Sequence, residues 1–400
     1  VAKWEQRLTG HGPNGHNPLR ECDRQKRVHV LWVEACMLTP DQDSGSLRTL
    51  RLLKLLLSIG CKVTFAADNL LADEPYGQQL RDEGIEVLHS PHVHSMGDYL
   101  REHAGRYDIV TLCRHYIAIQ HIDELKQRYP DTQVWFDTID LHYLRLRRQF
   151  DLDGAAATQK MAELAHQEEC SVIAQSDMTI VVSDVEQAEL AKEMPNARVT
   201  IISNIHEPQE AVSSFDNRSG ILFVGGFQHP PNVDAVEYYA TDIWPAVRAA
   251  IPDVETFIVG SRMPQNLKKW GEERGLTMVG FVEDLTPYYA NCRLAIAPLR
   301  YGAGVKGKVN QALSYGLPVV GSPSALEGMG LENGRDAILA ATPEAFAQAI
   351  GAVYGDQKLW ERLSSHGLAS LEGRFTPDVA NNALMEALHP LLAEVHVRAT

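Results

Sequence analysis

The chain has 400 residues, 44% hydrophobic and 22% charged, with a net charge of −15. The length exceeds what one ordinary core fills, so two domains are expected. The acidic balance argues against a general nucleic-acid binder, which carries a basic footprint, and leaves room for an anionic small ligand held by local loops.

No stretch reaches the ~18 apolar residues of a membrane-crossing helix. The polar start, "VAKWEQRLTGHGPNGHNPLRECDRQK", has no signal-peptide pattern and reads as a linker over residues 1–26. Without an initiator Met, it suggests a chain trimmed or cut from a longer, multidomain polypeptide. Six cysteines, Cys22, Cys36, Cys61, Cys113, Cys170 and Cys292, are scattered without a C-x-x-C pair. They predict reduced thiols and a cytoplasmic location.

In chain order, "RVHVLWVEA" predicts a strand, "PDQDSGS" a turn and "LRTLRLLKLLLSIG" a helix closed by Gly60. Strands follow at "CKVTFAAD", "IEVLHS", "YDIVTLCR", "TQVWFDTID" and "DMTIVVS", with helical segments between most of them. This alternation predicts a parallel sheet with crossover helices over residues 27–205. Residues 206–219 turn polar and read as a linker. A second series, "ILFVGG", "VETFIVGS", "LTMVGFV", "RLAIAPL", "LPVVGSP" and "AILA", predicts a second domain over residues 220–375. The tail, residues 376–400, predicts an amphipathic helix that packs back on the first domain. Ligands of such sheets bind beyond the carboxyl ends of the strands.

Four strand-to-helix loops carry candidate chemistry. Gly45 and Ser46 lie in the first, with Arg48 on the opening helical turn. Gly225 and Gly226 end a strand in the second, and Asn232 reads as a cap for the next helix. The third is "LRYGAGVKGKVNQAL", where Lys306 and Lys308 stand among glycines at the mouth of a helix. Free N–H groups, a partial positive charge and two ammonium groups describe a phosphate or diphosphate site. The loop is neither G-x-G-x-x-G after the first strand nor G-x-x-x-x-G-K-[ST]. Glu327 lies in the fourth, "SPSALEGMG". "HSPHVHS" offers His89, His92 and His94, but without the companions of a metal motif it reads as a surface loop. Arg48, Arg51 and Lys54 give one helix a basic face: a membrane-docking surface, or an ordinary crossover helix.

"ILFVGGFQHPPNVDAVEYY", "GFVEDLTPYYANCRLAIAPLRYGAGVKGKVNQALSYGLPVVGSPSALEGM" and "FDTIDLHYLRLRRQ" resemble the retaining glycosyltransferases of family 4. The branch they most resemble is that of bacterial surface-polysaccharide and rhamnan-type clusters. The resemblance implies a GT-B fold, an α/β architecture of two Rossmann-like domains facing across a cleft. It implies a nucleotide-diphosphate sugar as donor, a saccharide or lipid-linked saccharide as acceptor, and no cofactor or metal. Residues 302–308 (Gly302, Ala303, Gly304, Val305, Lys306 and Lys308 among them) match the loop at the diphosphate and donor sugar. The family's paired glutamates would fall on Ala303 and Gln311. The backbone of one and the amide of the other remain, and charge neutralisation rests on Lys306, Lys308 and Arg300. "DTIDLHYL" matches a loop facing the donor sugar, which makes His142 and Asp140 catalytic candidates with Lys306. The Gly45–Ser46 turn resembles the loop that admits acceptor and phosphate. Two alternatives stay open: a non-catalytic nucleotide-sugar-binding module, and an epimerase or phosphorylase on the same double fold. Peripheral contact with the inner face of the membrane also stays open.

Overall fold

The computed structural model describes residues 28–209 and 213–399. The expected linker over residues 1–26, Cys22 and residues 210–212 lie outside them. The first sheet contains β1 (His29–Glu34), β2 (Lys62–Ala67), β3 (Glu86–Leu88), β4 (Ile109–Cys113), β5 (Gln133–Asp137), β6 (Met178–Val181) and β7 (Val199–Ile201). The second contains β8 (Ile221–Val224), β9 (Thr256–Val259), β10 (Thr277–Gly280), β11 (Leu294–Ala297), β12 (Val319–Gly321) and β13 (Ile338–Leu339). All six residues of β1 and all four of β11 are buried. Such unbroken buried runs are what a parallel strand covered by helices on both faces requires.

Every pairing between these strands is parallel, as β1 with β2 and β4, and β11 with β8 and β12, illustrate. The orders are β3-β2-β1-β4-β5-β6-β7 and β10-β9-β8-β11-β12-β13. Each sheet therefore reverses direction once, between β1 and β4 and between β8 and β11. Loops leaving those four strands diverge, and the crevice they leave is where ligands of such sheets bind.

The helix Ser44–Ile59 starts at Asp43, whose carboxylate accepts from the N–H groups of Gly45 and Ser46, and stops at Gly60, held at φ 98°. That left-handed angle suits a residue without Cβ. Of the two readings of this helix, its contacts favour the ordinary crossover helix. Arg48 is 1% exposed and pairs with Asp137 at 2.7 Å, while its other nitrogens donate to the Ile202 carbonyl. Arg51 donates to the carbonyl of Ile205. Both arginines tie the helix to the far edge of its own domain and offer no membrane surface. Among the described residues, no helix is long and apolar enough to cross a membrane. His89 meets the Ser90 carbonyl and packs edge-on against His92.

The last helix, Pro377–Ala399, lies against Ser44–Ile59 and β7 of the first domain. Ala380, Leu384, Ala387 and Leu388 enter that domain's core, at the spacing of one helical face.

Candidate functional site

The switch points of the two sheets face each other across a cavity of about 770 Å³. Its first wall is built by charge. Beyond β4, Arg114 takes φ 66° and donates to Glu34 at the end of β1, at 2.7 Å. Beyond β5, Ile139 takes φ 63°. A β-branched residue at that angle is strained and persists only when its surroundings hold it. The holders are buried carboxylates. Asp137, fixed by Arg48, accepts from the N–H of Ile139. Glu186 accepts from the N–H groups of Leu141 and Val182, and Glu169 from those of His142 and Tyr143.

The helix His142–Asp153 has Leu141 at its N-cap, with no side chain to satisfy the first amides. Glu169, from the neighbouring helix Ala156–Gln175, does so instead. Burial, only partly opposed by the amides, raises the Glu169 carboxyl to about 8 and that of Glu186 to about 7.

This frame presents Asp140 and His142 to the cavity. Arg145 donates to Asp140 at 2.6 Å, and the His142 Nδ1 lies 3.2 Å from the Asp140 Oδ1. Burial pushes the Asp140 carboxyl up, but Arg145, His142, Arg114 and Lys306 outweigh it and hold it at about 2. Burial lowers His142 to about 4, with Arg145 and Arg114 against the opposing pull of Asp140. At neutral pH the pair is a carboxylate beside a neutral imidazole. His115, buried and edge-on to His142 at 4.8 Å between centroids, is likewise lowered to about 4 by burial and by its neighbour.

The second wall is built by glycine. A Cβ on Gly225 would sit 2.8 Å from the Asn232 side chain and 3.0 Å from the Lys308 ammonium. Gly304, at φ 67°, faces Asp140, where a Cβ would come within 3.0 Å. Gly307 opens the helix Gly307–Ser314, and a Cβ there would lie 2.4 Å from Ser44. The N-termini of Gly307–Ser314 and Ser44–Ile59 thus meet at the cavity, one from each domain. Each brings a partial positive charge; the first amides of Gly307–Ser314 are uncapped, while Asp43 takes those of Gly45 and Ser46 and leaves Ser44.

Lys306 and Lys308 both line this space. Lys306 folds back to donate to the carbonyls of Ala303 and Gly304, at 2.8 and 2.6 Å. Lys308 donates to Asn232. Burial lowers the two ammonium groups to about 8 and about 7. Asn232 is not the cap expected of it. The helix begins earlier, at Pro230, and the Asn232 amide bridges the Gly226 carbonyl to Lys308. Gln311 accepts from His206 at 3.0 Å and still lines the cavity.

Ala303, Gly304, Val305, Gly225, Gly226 and Gly45 also line the cavity, and four expected residues do not. Ser46 is buried, its hydroxyl spent on Asp43. Gly302 is buried and gives its carbonyl to Arg148 at 2.7 Å. Arg300 turns away to pair with Asp234 and covers the ring of Tyr238. Glu327 pairs with Arg148 at 2.6 Å. Arg300 and Glu327 line a second, smaller cavity of about 510 Å³. Sequence reasoning passed over Arg114, Arg145, His229 and Phe281, which line the first. A charged residue directly after a buried strand, as in "CRH", was the available signal for Arg114.

Residues 218–356 match the family model described as glycosyl transferases group 1. An uncharacterized 44.6 kDa protein in the cps region of Klebsiella pneumoniae is 29% identical over 138 residues, 32% of this chain. That match spans only 36% of the relative's length. Sucrose-phosphate synthase from Thermosynechococcus elongatus superposes with a TM-score of 0.68 at 16% identity, covering 92% of this chain and 100% of that one. Anabaena HepE, solved with UDP and glucose, superposes with a TM-score of 0.67 at 15% identity, covering 90% and 99%. Two parallel Rossmann-like sheets meeting at their switch points are thus the GT-B fold, and the second domain carries the match to glycosyl transferases group 1.

Proposed function

We propose that this protein is a retaining glycosyltransferase of family 4. In this reading it moves a sugar from a nucleoside-diphosphate sugar to a saccharide or lipid-linked saccharide acceptor, without a metal. The carrying observation is the meeting of two helix N-termini and two lysines opposite a carboxylate and a neutral imidazole. The cps-region relative favours bacterial surface polysaccharide, of the rhamnan-type branch, as the product. The UDP and glucose held by HepE favour a uridine nucleotide as the donor's leaving group.

Transfer breaks the bond from the anomeric carbon to a phosphate oxygen, so negative charge grows on the diphosphate. The amides at Gly307 and Ser44, and the ammonium groups of Lys306 and Lys308 once donor is bound, meet that charge. A bound diphosphate draws Lys306 off its own carbonyls and keeps both lysines protonated. His142, neutral, hydrogen-bonds a sugar hydroxyl. Asp140, ionised and with its Oδ1 unpartnered, lies where positive charge develops on the sugar ring. The acceptor attacks the face the leaving group departs, and a phosphate oxygen takes its proton. Gln311 and the Ala303 backbone serve the ribose and sugar in place of glutamates.

A thermal-shift screen with UDP, GDP, dTDP and their sugars tests donor binding. Product analysis then tests transfer: a new glycoside with retained anomeric configuration, formed with one free nucleoside diphosphate. No stabilisation by any nucleotide overturns the reading. Binding without turnover, or an epimerised donor as the product, favours the alternatives.

A further inference from the structure

Away from the cavity, three ligating side chains converge between two helices. His166 and Cys170 stand one turn apart on Ala156–Gln175, and Glu193 ends Asp184–Glu193. One nitrogen, one sulfur and one oxygen from these residues lie within 4.8 Å of one another. We propose that they form a binding site for a zinc-class divalent cation.

The geometry carries the assignment. Zinc bonds of ~2.0–2.1 Å to nitrogen and ~2.3 Å to sulfur, set at a tetrahedral angle, leave about 3.6 Å between the two ligand atoms. The His166 Nε2 and Cys170 Sγ are 3.6 Å apart. The His166 Nε2 also faces the Glu193 Oε2, at 2.6 Å. That is a hydrogen bond, which a cation replaces by pushing the pair roughly an ångström apart. Glu193 can move so far, being the last residue of its helix and 31% exposed. Nitrogen, thiolate and carboxylate together suit zinc better than the oxygen-seeking magnesium or calcium.

A second observation points to the same place. Tyr143 packs its ring edge-on against His166, with centroids 4.8 Å apart. It is fully buried, and its hydroxyl has no partner. A buried hydroxyl without a partner is costly. Water on the fourth position of a cation held by the triad is the kind of partner this hydroxyl lacks. Tyr143 directly follows His142 and receives an amide clamp from Glu169. The cation therefore bridges two helices, one of which packs through His166 on Tyr143 behind the imidazole that faces the cavity.

The test uses the untagged full chain, loaded with Zn²⁺ and dialysed against a weak chelator, with metal content measured by mass spectrometry. The expected result is about one equivalent retained, lost in Cys170→Ser and His166→Gln and kept in Cys36→Ser. In Co²⁺-loaded protein, thiolate-to-cobalt absorption should vanish in Cys170→Ser and survive in Cys36→Ser. Glu193→Gln, a partly exposed change that leaves the fold intact by circular dichroism, should weaken retention at least tenfold. Equal metal in wild type and Cys170→Ser, or cobalt absorption that survives Cys170→Ser, overturns the site. Neither outcome bears on nucleotide binding, which is read separately.

Discussion

The two walls of the cavity are built on opposite principles. The first-domain wall is held by buried charge: Arg48 on Asp137, Arg114 on Glu34, and Glu169 and Glu186 on bare amides. The second-domain wall is held by missing side chains, at Gly225, Gly304 and Gly307, which let backbone reach backbone. Charge fixes direction and depends on pH. Glycine fixes approach and does not. A transferase needs both, since the sugar must be oriented while the diphosphate must be enclosed.

The largest expected effect lies where the walls meet. Lys306→Ala should cut turnover by roughly 10²–10³, about 3–4 kcal/mol of transition-state stabilisation. Nucleotide affinity should fall less, because Lys308 and the helix amides remain. Initial rates with circular dichroism as the folding control decide the matter. Near wild-type turnover in a folded variant would remove this loop from the chemistry.

Gly307→Ala probes the glycine wall alone. Alanine is the better helix former, so the second domain should not weaken. The added Cβ meets Ser44 in the other domain, so closure should suffer. The expected outcome is unchanged melting with nucleotide affinity lower by about tenfold, 1.4 kcal/mol, by calorimetry. Unchanged affinity would mean that the domains need not approach this closely.

The charged wall should show itself in pH. The Glu169 carboxyl is raised by burial to about 8. An acid whose folded pKa is raised binds its proton more tightly in the folded state. Its contribution is therefore full below its unfolded value of about 4.5 and lost as pH climbs towards 8. Glu169→Gln should flatten that decline, an effect on the order of a few kcal/mol, while costing one amide partner throughout. Urea melts from pH 5 to 8.5 measure it, and parallel curves for both proteins would refute the assignment.

The smallest effect is expected at Arg300. Its guanidinium is committed to Asp234, outside the cavity. Arg300→Ala should change nucleotide affinity by less than about twofold, under half a kcal/mol. A tenfold loss would show that this arginine swings into the site when donor binds.

The sequence was most informative where chemistry is local. Strand runs such as "RLAIAPL" and the glycine loop before Lys306 were readable because a parallel strand and a helix mouth each need residue types in one short stretch. Assignment failed where neighbours in sequence point to different places. Arg300 and Glu327 flank the glycine loop and its following strand, yet both side chains leave the cavity. Arg114 and Glu169 were missed because their roles depend on distant partners. The guanidinium of Arg114 meets a carboxylate 80 residues earlier, and Glu169 caps a helix that begins 27 residues before it.

The same division runs through the whole protein. Alternating buried strands and helices, each a matter of spacing within about a dozen residues, determined the two parallel sheets and the loops at their switch points. Tertiary structure decided what those loops present. Only the packed chain removes Arg48 from solvent, keeps the His142 imidazole neutral and places two helix N-termini against each other across the cleft. Burial sets a charge's cost and its partners, and burial is a property of the assembled core rather than of any segment.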